Sequence, residues 1–201
     1  MDDSSAVMAL RDFAIKTNRN IEFDESRYPL SSYRKIQRSR IFAYIPNNEQ
    51  ENCYFVWLSD PYRVVGEYSV FSGVFIPIAS KYKERFYIRK KNILDNLNLF
   101  YLMKNIGRKN PGFLSSVVIS GNDKNIANEL FSGTMAGHKI LEALELSPAM
   151  RLSVNIPDVD FVPGLKDKSY IAIMNPQDWF MDKSVIEKLF RLGEEIGKHL
   201  K

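Results

Sequence analysis

A chain of 201 residues with one cysteine, Cys53, cannot close an intramolecular disulfide, and it has only two histidines, His138 and His199. The first scarcity excludes the disulfide-stapled secreted class and makes a reducing compartment the expected address. The second leaves a histidine-based metal site or general base short of partners. Glu142 is the only acid one helical turn from His138, and a single Glu–His pair on a helix is a common surface contact. No run reaches the ~18 apolar residues of a membrane span, and the opening Met1-Asp2-Asp3-Ser4-Ser5 lacks the basic segment of a signal peptide. A soluble, cytoplasmic protein is therefore expected, held at the inner membrane only if a surface, a partner or a further segment holds it there.

Catalytic motifs are equally scarce. There is no Gly-x-Ser-x-Gly elbow, His-Glu-x-x-His helix, Cys-x-x-Cys pair or EF-hand loop. The segment from Ser132 to Lys139 superficially resembles a phosphate-binding loop, but three residues rather than four separate Gly133 from Gly137, and His138 precedes Lys139. Cys53 lies in Asn52-Cys53-Tyr54-Phe55-Val56-Trp57-Leu58, where a small core residue is expected rather than a nucleophile. Asp158 with Asp160, and Glu142 with Glu145, are acid pairs of a kind any globular protein carries, and spacing in the chain does not make them a catalytic pair or a cation site. No cofactor, metal or small-molecule ligand is predicted.

What the chain does have is grouped positive charge. The formal net charge is +4 with a pI near 9.0. Arg27, Arg34, Lys35, Arg38 and Arg40 follow one another without an acid, and Lys81 to Lys109 holds nine bases against Glu84 and Asp95. Both groups interleave with aromatics, the residue types of a base-stacking groove for single-stranded nucleic acid. In a strand, however, alternation sends rings inward and bases to water, so solvated faces or contact with anionic headgroups are the preferred readings. Arg34, Lys35, Arg38 and Arg40 are the candidate partner- or lipid-binding residues.

Periodicity predicts the architecture. Ala6, Val7, Leu10, Phe13 and Ala14 stripe a helix over 5–17. Residues 40–45 and 53–58, rich in aromatic and β-branched side chains around Pro46-Asn47-Asn48-Glu49-Gln50, predict a hairpin, followed by strands over 64–78 and 85–89. These four are expected to form a sequential antiparallel meander. A helix over 92–104, a strand over 114–120, a long helix over 124–146, strands over 150–156 and 169–174, and a helix over 183–200 complete the reading. Gly133 and Gly137, and Gly193 and Gly197, lie one turn apart on the two long helices and predict close packing rather than membrane dimerisation. The fold class is α+β: one domain over 1–201 with a mostly antiparallel sheet, two long amphipathic helices on one face and one or two further helices. A sub-division into 1–109 and 110–201 is suggested by the element order, and a glycine-faced helix is expected over Gly73.

The order of features resembles a bacterial family catalogued as domain of unknown function 3137. The residues that carry the resemblance are Phe71-Ser72-Gly73-Val74-Phe75, Val117 to Asp123, Asn128-Glu129-Leu130-Phe131, Leu146-Ser147-Pro148-Ala149-Met150 and Ser169-Tyr170-Ile171-Ala172-Ile173. The resemblance implies a soluble domain that often follows transmembrane helices, and it brings no catalytic residues. The expected function is a non-enzymatic interaction or accessory module near the cytoplasmic membrane, binding a protein partner or an anionic membrane surface. The alternatives are an enzyme with an unfamiliar carboxylate or tyrosine site and a weak single-stranded nucleic-acid binder.

Overall fold

The computed structural model describes residues 3–27, 39–47, 52–61, 69–79, 82–92, 95, 113–121, 131, 134–177 and 182–199. They form an α+β fold. Helix α1 (Asp3–Lys16) is followed by strands β1 (Glu22–Arg27), β2 (Ser39–Pro46), β3 (Tyr54–Ser59), β4 (Val70–Ile78) and β5 (Phe86–Lys90). A single helical turn, Phe113–Ser116, leads into β6 (Val117–Gly121), then come α2 (Thr134–Leu144), β7 (Arg151–Val154), β8 (Ser169–Asn175) and α3 (Lys183–His199). The eight strands make one sheet in the order β1-β2-β3-β4-β8-β7-β5-β6, and every ladder is antiparallel.

The meander expectation needs correction at its fourth strand. β1 to β4 are sequential neighbours, but β5 is separated from β4 by β8 and β7 and pairs with β7 and β6 instead. Residues of 1–109 and 110–201 thus interleave in one sheet. The reason is burial. β8, Ser-Tyr-Ile-Ala-Ile-Met-Asn, is buried along its whole length, and a strand apolar on both faces is best placed inside the sheet rather than at its edge. The predicted strand over 114–120 also starts late, because 113–116 coil into the helical turn. The predicted helix over 92–104 lies outside the described residues except at Asn92 and Asp95, as do residues 124–130, 132 and 133 of the predicted helix over 124–146 and residues 64–68 of the third strand.

Alternation divides the sheet into two faces. On one face a lateral row runs Ile45, Phe55, Val74, Ile173, Leu152, Ile88 and Ile119 across seven strands. All three helices bury their stripes against this face: Ala6, Leu10, Phe13 and Ala14 of α1, Ile140 and Ala143 of α2, and Ile186, Leu189, Phe190 and Ile196 of α3. The helix α3 starts where Asp182 caps it, its carboxylate accepting from the Ser184 backbone N–H at 2.7 Å, which satisfies an otherwise orphaned donor; the Ser184 hydroxyl at 2.6 Å, with that N–H, holds the carboxyl below its ordinary range. On the opposite face, Val56, Leu58, Phe71, Phe75, Ala172 and Met174 are covered by Val159, Val162 and Leu165 of the loop between β7 and β8. Asn155 opens that loop with φ 55°, a conformation its short polar side chain tolerates, and the side chain donates to the Tyr82 and Glu84 carbonyls at 2.8 and 3.1 Å.

The glycines of the helices pack as expected, but not over Gly73. Gly193 admits β4: a Cβ there would stand 2.8 Å from Val74 Cγ1 and 2.9 Å from Cys53 Sγ, and Gly197 and Gly137 sit close to Ile76 and Phe113. Gly73 has the opposite parity to Val74 and faces the loop-covered side. There a Cβ would run into the Ile173 carbonyl and lie 2.5 Å from Met174 Cβ. The glycine is needed by the β4–β8 contact and not by a helix. Gly73→Ala is therefore expected to cost about 3 kcal/mol by forcing the two central strands apart, read as a lower midpoint in urea denaturation. An unchanged midpoint would show that the contact is loose.

Candidate functional site

Of the four basic residues singled out in the sequence, Arg40 is the one described; Arg34, Lys35 and Arg38 lie outside the described residues. Arg40 stands at the start of β2 on the loop-covered face. Its guanidinium lies 5.7 Å from the Phe42 ring centroid and 5.4 Å from that of Phe161. Its Nε is 3.9 Å from Asp60, whose side chain is 11 % exposed, so the two form an ion pair without a hydrogen bond. Arg40 thus ties the loop to the sheet. Whatever it offers a partner is limited to the part of its side chain left in solvent.

Among the described residues of the second basic run, Arg85, Arg89 and Lys90 meet acids once folded. Arg85 donates to Asp158 at 2.8 Å and to the Asn155 carbonyl at 3.0 Å, and Lys90 reaches Glu145 at 2.7 Å. Arg89 forks onto Asp95 with contacts of 2.6 and 2.7 Å. That fork, with the Asn92 N–H at 2.8 Å, holds the Asp95 carboxyl down at about 2. Two of these acids, Asp158 and Glu145, come from far along the chain, so spacing does not reveal them, whereas Asp95 lies within the run itself.

Among the described residues, the loop-side apolar cluster does not extend over β7, β5 and β6. The covering apolar cluster draws only on β2, β3, β4, β8 and the loop, and beyond β8 the lateral row Val56, Gly73, Met174 continues into Arg151 and then Arg89. Tyr87, Arg89, Lys91 and Arg151 are half-buried on this flank. Arg151 lies with its guanidinium 5.2 Å from the Tyr87 ring centroid, and Lys91 donates to the Ser115 carbonyl at 2.5 Å.

A further cluster that the sequence did not signal joins α1, β2 and α3. Arg19, 14 % exposed, is sandwiched by the rings of Phe13 and Phe190 at 5.5 and 4.7 Å. It pairs in bidentate fashion with Glu187 and donates to the Asn47 carbonyl at 2.8 Å, while the Asn47 amide bonds Glu194. An arginine in a polar turn carries no periodic signature, so only its packing reveals it. Cys53, fully buried beside this cluster, has its thiol pushed well above its ordinary value by burial, with the Glu194 charge adding to the effect. It is a packing residue.

The remaining candidates are dispersed. His138 is exposed, and Glu142, its expected partner, is taken by Lys139 of the same helix at 3.7 Å and by Lys188 at 3.4 Å, which reaches it across the α2–α3 seam. Asp158 pairs with Arg85, and Asp160 is exposed beside it in sequence. Among the described residues no three His, Cys, Asp or Glu side chains gather as a metal would require, and no described helix is long and apolar enough to cross a membrane. No family model, curated protein or solved structure matches the chain.

The Arg89–Asp95 pair sets a pH dependence. A carboxyl whose folded value is about 2, below its unfolded value of 3.8, contributes stability above that unfolded value and loses it as pH falls towards 2. Asp95→Asn is expected to be less stable than the native protein at neutral pH, with the gap between the two closing between about pH 4 and pH 2. Thermal melts across that range test it; a gap that does not change with pH would remove the pair from the stability balance.

Proposed function

We propose that this chain is a non-enzymatic interaction module that works against an anionic membrane surface, as a cytoplasmic domain lying beside the inner membrane. The observation that carries the reading is the contrast between the two basic groups. Acids within the fold take up Arg85, Arg89 and Lys90, whereas the group from Arg27 to Arg40 has no acid in its own sequence. Of its described members, Arg27 is 71 % exposed and only 3.9 Å from Glu25, and Arg40 is held by Asp60. Arg34, Lys35 and Arg38, which lie outside the described residues, are the charges this reading assigns to the partner. The resemblance to domain of unknown function 3137, whose members often follow transmembrane helices, supports the same placement.

The enzyme alternative draws little support from the tyrosines. The Tyr170 hydroxyl donates to the Pro157 carbonyl inside the fold, and the Tyr54 ring lies under Gly164, where any Cβ would collide with it. Both serve packing. A single-stranded nucleic-acid groove is disfavoured by the acids that occupy the second basic run.

Sedimentation with vesicles tests the proposal. The protein is expected to pellet with phosphatidylserine-containing vesicles and not with phosphatidylcholine alone, and to be released by salt. Neutralising Arg34, Lys35 and Arg38 to Gln should weaken binding by about a hundredfold, since each base near an acidic leaflet is worth about 1 kcal/mol. Equal sedimentation with both kinds of vesicle would end the lipid reading.

A further inference from the structure

Helix α1 buries Ala6, Leu10, Phe13 and Ala14 on its sheet side. The opposite side of such a helix ordinarily carries polar residues, yet α1 places Met8 there, 65 % exposed, and Ile15, 79 % exposed. Seven residues make almost two turns, so the two side chains lie in line about 10 Å apart along the helix axis. Arg11 stands between them, three residues after Met8 and four before Ile15. It is exposed, with its guanidinium 5.2 Å from the Phe23 ring centroid. The helix gains nothing from Ile15, because a β-branched residue is a weaker helix former than lysine or glutamine at an exposed position. The core gains as little from a side chain so far out of it. A single exposed apolar residue needs no explanation, whereas two aligned on one helix with a base between them do.

The charges beside this stripe are mostly positive. Asp12 is shared by Lys16, at 3.1 Å, and by Lys183 of α3, and Arg11 rests on a ring. Three bases thus border the stripe with one carboxylate among them. Glu25, the exposed acid of β1 on the same side of the sheet as Phe23, accepts from the Ser39 hydroxyl at 2.7 Å. Aligned apolar side chains edged by bases suit a helix lying in the headgroup region of an anionic leaflet, apolar atoms in the acyl boundary and bases among the phosphates. A second copy fits this face less well, since a two-fold contact would set the same bases against each other. We propose that the stripe of Met8, Arg11 and Ile15 is the face that this domain lays on an anionic membrane, Met8 and Ile15 entering the acyl boundary while Arg11, Lys16 and Lys183 meet the headgroups. The inference rests on the membrane reading and adds the apolar contact that the bases alone do not supply.

The experiment uses the whole chain and vesicles of phosphatidylcholine with phosphatidylserine. Replacing both apolar residues, Met8→Ser with Ile15→Ser, is expected to weaken sedimentation with these vesicles about ten- to a hundredfold and to leave the melting temperature in the absence of lipid unchanged. A second readout does not depend on that variant folding. Cys53 is fully buried, so Ile15→Cys can be labelled selectively with an environment-sensitive dye. The dye should shift to the blue on the vesicles and be quenched by brominated acyl chains. The same dye on Lys166→Cys, an exposed position of the β7–β8 loop across the sheet, should do neither. Vesicle binding that the double substitution leaves intact, or quenching at 166 and not at 15, overturns this inference while the membrane reading stands. A dimer that the double substitution dissolves, with no quenching at 15, gives the stripe to a second copy and also overturns it. Failure of the native chain to bind the vesicles overturns both.

Discussion

The sheet depends on β8. It is the latest strand in sequence, yet it lies at the centre, pairing with β4 over seven residues and with β7 over four. Without it the β1–β4 meander and the β7-β5-β6 unit would be two small sheets, with β4 and β7 as open edges. Inserting a strand whose every residue is buried removes both edges at once and joins the two units through backbone hydrogen bonds. The close β4–β8 approach at Gly73 is the steric condition of that insertion.

Once the sheet is continuous, each face is closed by different means. The helix side has a row of aliphatic and aromatic residues across seven strands and receives the stripes of α1, α2 and α3. The other side is closed by one loop, anchored by Asn155 at its start, by Tyr170 bonding the Pro157 carbonyl and by Arg40 stacking on Phe161. Among the described residues, its apolar cluster stops at β8.

Charge follows the same logic. Arg19 between two phenylalanine rings and the Lys139–Glu195 bridge at 2.6 Å between α2 and α3 convert surface charge into contacts between distant elements. Arg151 is handled differently, with a ring beneath it and another arginine across from it.

The sequence by itself determined the elements whose apolar spacing is local. The α1 stripe, the 40–45 and 53–58 hairpin, the strands near 150–156 and 169–174 and the final helix are all legible because 3.6- and 2-residue periods need no knowledge of a partner. It also determined that Cys53 is a core residue and that glycines mark close approaches. It did not determine the place of β5, since which strands become neighbours is decided by the burial of β8, a non-local gain that no window contains. Nor did it reveal the charge balance: runs of bases look alike in sequence, and only the tertiary structure brings Asp158 and Glu145 to the run that holds Asp95 and sets Arg151 against Arg89. Val70–Ile78 was legible as a strand from its β-branched and aromatic residues, but which way Gly73 faces was settled by its pairing with Met174.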